Sequence, residues 1–285
     1  MVFKSIQSGI AQMWAQKRMV IVFYLINFLF ALIMMLPLRS TINSYIGHSL
    51  MGAELGGRIN MDFVFELLFG EGNFISSAFL LLLVVSGLYW LCNLFLSGGA
   101  FEVLVKGEKY SPQLFWGGAA RYLGRFIRLF LWSIPVLIVL FCLQFIVTGF
   151  EKLIWGDDPY QSVTYWLHWL KLIIRYFGII LYLLVFDYAR IITVIQDERK
   201  TRKSLLRGIG FAFKNFGRTF CFALILFVLG AIILIIYNPL ADLLAAPNVL
   251  IVLFLFLFQQ VYMFARMMLR VTSFAGQLTL YKKLA

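Results

Sequence analysis

The stretch TFCFALILFVLGAIILIIYN, residues 219–238, runs for twenty residues without a charge. Crossing the roughly 30 Å hydrocarbon core of a bilayer at 1.5 Å per helical residue takes about 20 mostly apolar residues. Five more stretches of this kind occupy 19–38, 74–96, 129–149, 172–194 and 248–269. The six together predict an all-α, polytopic integral membrane protein built as a single transmembrane domain over residues 1–285.

Composition supports this. Hydrophobic residues make up 62% of the 285 and charged residues only 13%. A soluble domain averages about 25% charged residues, so water cannot be the solvent for most of this chain. The first run is too long for a signal peptide and no small-x-small cleavage site follows it at Leu36, Pro37, Leu38 and Arg39, so it reads as a retained span. In the longest connector, residues 62–69 read as a short amphipathic helix on the outer surface.

The net charge of +12 is distributed by side. Of the 25 Lys and Arg residues, 20 fall in the N-terminal segment, the second and fourth connectors and the C-terminal end, and 5 on the opposite side. The basic side is the cytoplasmic one, which puts both termini in the cytoplasm. The basicity is thus topology and anionic-lipid attraction, not nucleic-acid binding. Trp155, Tyr160, Tyr165, Trp166 and Trp169 fall where an outer aromatic belt belongs. Asn238-Pro239 and Pro247 bracket an expected tight outer turn.

The chain also repeats itself. SPQLFWGGAARYLGR (111–125) and SLLRGIGFAFKNFGR (204–218) both read Ser-x5-Gly-x-Ala-x-basic-x2-Gly-Arg, and each precedes a span. Residues 4–18 have a similar build but fit the pattern poorly. Two spans also end alike, at FDYARII (186–192) and MFARMM (263–268), with SGGAF (97–101) a looser relative. The expected unit is a basic interfacial elbow helix plus two spans, used three times over about 1–100, 101–195 and 196–285. Gly117, Gly124, Gly210 and Gly217 lower helix propensity, for which close helix packing is the expected return.

Few residues carry chemistry. Asp187 reads as the one acid within or at the edge of a span. Arg190, three positions later on the same face, can pair with it; the alternative is a proton, ion or headgroup role. Arg190 and Arg266 occupy equivalent exit positions and, with Arg125 and Arg218 at the ends of the elbow motifs, are candidates for phosphate headgroups or ion pairs. Gln259, Gln260, Gln144, Asn93 and Asn27 are polar residues within spans, suited to interhelical hydrogen bonds or to lining a polar path. Pro135 frees a backbone carbonyl in the third span. His48, His168 and the Asp157-Asp158 pair read as connector residues. Cys92, Cys142 and Cys221 lie far apart and imply neither a disulfide framework nor a metal site. No catalytic constellation, metal-ligand set, cofactor motif or phosphate-binding loop is present in the sequence, so the expectation is a protein that is not an enzyme and takes no cofactor.

The repeated elbows, Gly98-Gly99 and the Asp187–Arg190 run resemble a group of bacterial six-span proteins that includes the membrane domain attached to some glycerophosphodiester phosphodiesterases. The resemblance implies a bacterial cytoplasmic (inner) membrane location and no catalysis by this domain. By architecture only, the chain is also similar to permease subunits of ABC exporters, with residues 112–128 as a coupling helix. The expected partners are membrane phospholipids and a cytoplasmic or membrane protein. The expected role is a lipid-interacting scaffold, complex subunit or small transporter. A permease working with a separate ATPase and a membrane-embedded lipid-modifying enzyme are the alternatives.

Overall fold

The computed structural model describes residues 1–46, 61, 65, 72–156, 160–243 and 248–285. The elements are helices: α1 (Val2–Ala15), α2 (Lys17–Ile46), α3 (Gly72–Lys106), α4 (Pro112–Trp155), α5 (Gln161–Ile195), α6 (Thr201–Lys214), α7 (Phe216–Leu243) and α8 (Val249–Leu284). Six of them, α2, α3, α4, α5, α7 and α8, are long and apolar enough to cross a membrane. The chain is an all-helical integral membrane protein. The proposed amphipathic helix at 62–69, His48, Asp157, Asp158 and Pro247 lie outside the described residues, except for the exposed Phe65.

The described chain forms two compact units. The first comprises Met1–Gln12, Ser97–Leu226 and Thr272–Ala285. It contains most of the fully buried large side chains, among them Phe101, Phe115, Phe126, Tyr188 and Phe222. The second comprises Met13–Leu96 and Phe227–Val271. Its helices present Leu25, Phe79, Leu83, Ile235 and Phe254 outward, an arrangement stable only when the surrounding solvent is itself apolar.

The elbows depart from expectation in an instructive way. α1 and α6 are separate 14-residue helices. Each breaks at one residue, Gln16 or Asn215, whose carbonyl accepts from the amide three positions on, Met19 at 2.9 Å and Arg218 at 3.1 Å. The middle elbow does not break: residues 112–128 open the 44-residue α4. Its start is marked by Ser111, whose hydroxyl accepts from the Leu114 amide at 3.3 Å, with Pro112 in the first turn. The repeat motif aligns Tyr122 with Asn215. Asn215 bonds back to the Phe211 carbonyl at 3.4 Å, competing with helix continuation, whereas Tyr122 is buried within a continuous helix. No separate coupling helix therefore occupies residues 112–128.

The packing glycines are not the expected ones. A Cβ on Gly117, Gly124, Gly210 or Gly217 would meet nothing within 4 Å, so these four sit on open faces. Close approach occurs at neighbouring positions. A Cβ on Gly208 would lie 2.9 Å from the Ala189 backbone, and one on Gly9 2.8 Å from the Thr272 carbonyl. On Gly118 it would lie 2.5 Å from the Glu102 Cβ, and on Gly99 it would collide with the Phe115 carbonyl. Each elbow thus packs on the end of a long helix: α1 on α8, the start of α4 on α3, and α6 on α5. The three elbows bury the same spacing: Ser5-Ile6-Gly9-Met13, Gly118-Ala119-Tyr122-Phe126 and Ser204-Leu205-Gly208-Ala212. The poor fit of the N-terminal segment to the sequence motif conceals this shared face.

Helix ends also extend past the expected spans. α7 continues through Pro239 to Leu243, so Asn238-Pro239 lies within a helix and does not open the expected turn. A helix tolerates Pro when the freed carbonyl finds another partner. α4 likewise runs unbroken past Pro135. Because α3 and α4 extend further, Asp187 is not the only acid on the long helices: Glu102 and Glu151 are buried on them.

Candidate functional site

The most heavily built polar cluster centres on Arg190 in the first unit. Asp187 and Arg190 are three residues apart on α5, so one helical face carries both. They form an ion pair with side chains only 16% and 8% exposed. An Arg190 Nη donates to Ser97 Oγ on α3 at 3.2 Å. Gln277 on α8 donates through Nε2 to Asp187 Oδ2 at 2.9 Å. Four rings surround the guanidinium: Phe186 at 4.7 Å, Phe101 at 5.6 Å, Phe274 at 5.7 Å and Phe126 at 6.0 Å from ring centroids. The ends of α3, α5 and α8 thus meet around one cation, with α4 contributing Phe126. Arg190 forms the ion pair and is itself only 7% exposed. Ser97 and Gln277 carry no sequence signal beyond being small or polar in apolar surroundings.

Arg266 does not share this environment. It is exposed and lies over the Tyr262 ring at 5.8 Å. Arg270, one turn on, is half-buried and donates to Asn93 Oδ1 at 2.7 Å. Arg125 is engaged within the protein: with Arg121 it holds Asp197, each guanidinium nitrogen 2.6 Å from a different carboxylate oxygen. The hydrogen bond from Arg125, together with the charges of both arginines, holds the Asp197 carboxyl below its ordinary value. Asp197 has φ +46°, the left-handed region. The Glu198 amide bonds the Thr193 carbonyl at 3.2 Å and the Asp197 amide bonds Val194 at 3.4 Å. This is the Schellman closure of α5, with Asp where Gly is usual. Nothing in the sequence singles out Asp197. Arg218 is exposed.

Gln144 belongs to a ladder between α4 and α5. Ser133 Oγ and Tyr182 OH are 2.8 Å apart, Arg175 Nε donates to Gln144 Oε1 at 3.0 Å, and Lys171 pairs with Glu151. These contacts mark an antiparallel helix pair, with Gly178 close against the Leu140 carbonyl. Trp155, Tyr160, Tyr165, Trp166 and Trp169, expected to form an aromatic belt, are all exposed.

The remaining polar candidates lie in the second unit. Asn93 receives Arg270 and donates to the Tyr89 carbonyl at 2.9 Å. Tyr89 OH donates to Asn27 Oδ1 at 2.7 Å, and Tyr24 OH to Gln260 Oε1 at 2.8 Å. Tyr24, Asn27, Gln259 and Gln260 line a pocket of about 380 Å³ between α2 and α8, walled by Phe28, Met35 and Phe256. The two adjacent amides differ in environment: Gln260 bonds Tyr24 of another helix, while Gln259 is exposed.

No protein-family model, curated protein or solved structure matches this chain. The fold and these clusters define its class as a six-span α-helical integral membrane protein.

Proposed function

We propose that the chain is a non-enzymatic protein of the bacterial cytoplasmic membrane that engages anionic phospholipids through a basic helical layer. In this reading both termini are cytoplasmic, and three elbow-plus-two-span repeats build the layer. The supporting observation is the outer face of α6. Arg202, Lys203, Leu206, Phe213 and Lys214 are all exposed there, while Thr201, Ser204, Leu205, Gly208 and Ala212 are buried. Arg202 lies 4.4 Å from the centroid of the Trp132 ring, itself 44% exposed. Exposed apolar and basic side chains on one surface suit the headgroup level, where phosphate meets acyl chain. A basic residue there contributes about 1 kcal/mol with anionic lipid. The caged Arg190 has a structural part in this reading, clamping the helix ends on which the elbows rest.

The test is lipid retention. The chain, reconstituted in mixed phosphatidylglycerol–phosphatidylcholine bilayers and extracted in mild detergent, is assayed for bound lipid by mass spectrometry. The triple variant Arg202→Gln, Lys203→Gln, Lys214→Gln is expected to lower the phosphatidylglycerol preference by at least about tenfold, given about 1 kcal/mol per residue. An unchanged preference refutes the reading. A stoichiometric ATPase co-eluting with wild type would move the permease reading ahead of it.

A further inference from the structure

The pocket between α2 and α8 lies where a lipid headgroup should not reach. Gln260 is 11 residues, about 16 Å, into α8, and Asn27 is 10 residues, about 15 Å, from the start of α2. Both depths correspond to the middle of a hydrocarbon core about 30 Å thick. The lining contains no Lys, Arg, Asp or Glu. A phosphate at its floor would be a buried, unpaired charge, which is excluded on cost.

The floor is nevertheless polar. Two of its oxygens are engaged by tyrosine hydroxyls, Gln260 Oε1 by Tyr24 and Asn27 Oδ1 by Tyr89. Asn27 Nδ2 is buried without a partner among the described residues. Gln259 lines the pocket from an exposed position. At this depth no bulk water satisfies an amide, and an unsatisfied one is costly. The pocket volume of about 380 Å³ accommodates a group larger than a water molecule. Ala31 and Met35 are shared with a neighbouring groove that continues along α2 past Met34 and Leu38 to Arg39. This is an apolar track suited to a tail.

We propose that this pocket binds an uncharged membrane lipid, whose head offers carbonyl or hydroxyl oxygens to Gln259 and Gln260 while its tail follows the α2 groove. An uncharged head reaches the bilayer centre without a charge-burial penalty. Amides both donate and accept, so they serve carbonyl and hydroxyl oxygens alike. Diacylglycerols and isoprenoid quinones both present this chemistry.

The experiment is thermal unfolding of the full chain in detergent, titrated with dioctanoylglycerol, decylubiquinone or dioctanoyl phosphatidylglycerol. It uses wild type, the Gln259→Leu/Gln260→Leu double variant, and Ala31→Trp, which fills the pocket from an exposed position. Leu in place of Gln at mid-bilayer depth leaves the bilayer fit intact. Ala31→Trp tests occupancy without touching the amides. A saturable rise in Tm is expected with one of the two neutral probes, and which one responds identifies the head. Two lost hydrogen bonds of about 1 kcal/mol each are expected to weaken binding at least about tenfold in the double variant, and the Trp variant is expected to lose it. Three results would overturn the proposal: no shift with either neutral probe, a shift retained in both variants, or displacement of the neutral probe by phosphatidylglycerol.

Discussion

Breaking the Asp187–Arg190 pair separates a core element from a surface ornament. An exposed i,i+3 pair contributes about 0.3–0.5 kcal/mol. Here the side chains are 16% and 8% exposed, and removing one member of a buried pair leaves an uncompensated charge, at about 3–5 kcal/mol. In Asp187→Asn the guanidinium retains Ser97 and four aromatic rings within 6.0 Å. Cation–π contacts contribute about 0.5–2 kcal/mol, which puts this variant near the lower end, about 3 kcal/mol. In Arg190→Met the carboxylate retains only Gln277 among these partners, so a loss of about 3–5 kcal/mol is expected. The double variant carries no buried charge and is expected to cost at least about 2 kcal/mol less than the sum of the singles. The assay is equilibrium unfolding in mixed micelles of mild detergent and dodecyl sulfate, followed by far-ultraviolet circular dichroism. Single losses below about 1 kcal/mol, or additive ones, would refute the buried-hub argument.

Glycine positions give a paired test. Gly208→Ala places a Cβ 2.9 Å from the Ala189 backbone and is expected to destabilise by about 1–3 kcal/mol. Gly210→Ala, two residues on and facing open space, is expected to stabilise by up to about 1 kcal/mol through helix propensity. The same micelle unfolding assay reads both, and equal effects would contradict the packing register. Asp197 sets a pH dependence. Its folded carboxyl lies below the ordinary value of 3.8, so its contribution is complete above that pH and is lost as pH falls through the lower folded value. With its side chain 49% exposed, the loss is expected to stay within about 1 kcal/mol. Thermal unfolding should show no loss from this group between pH 7 and about 5, and Asp197→Asn should flatten the decline below about pH 4. A decline that survives in the variant would assign it to other carboxylates.

The helical membrane class was legible because it rests on uninterrupted apolar length, a property one stretch such as 219–238 displays unaided. The Asp187–Arg190 pair was legible for a similar reason, since spacing three on a helix is a local rule. Contacts between distant segments were not. Gln277 reaches Asp187 across 90 residues, and no periodicity connects them. The glycines show the limit most clearly. Sequence similarity drew attention to Gly117 and Gly210 because they recur, yet recurrence marks the matching face, not the packed one. The buried face is shifted by one or two residues, to Gly118 and Gly208, and only a neighbour's backbone reveals it. Asp197 was invisible because its left-handed backbone arises from helix closure, with an ion pair across 76 residues to Arg121.

The single cation at the meeting of three helix ends follows from the chemistry of guanidinium. The ends of α3, α5 and α8 each bring a polar group to the same place, but not the same one: Ser97, the Asp187–Arg190 pair and Gln277. A second cation in the same cage would repel the first, most strongly where water is excluded. One guanidinium avoids this. Its fork of five N–H donors can bond in more than one direction, and its flat faces accept aromatic packing. The carboxylate beside it neutralises the charge and still has an oxygen to receive Gln277. Arg266, at the expected equivalent exit, is instead exposed over Tyr262.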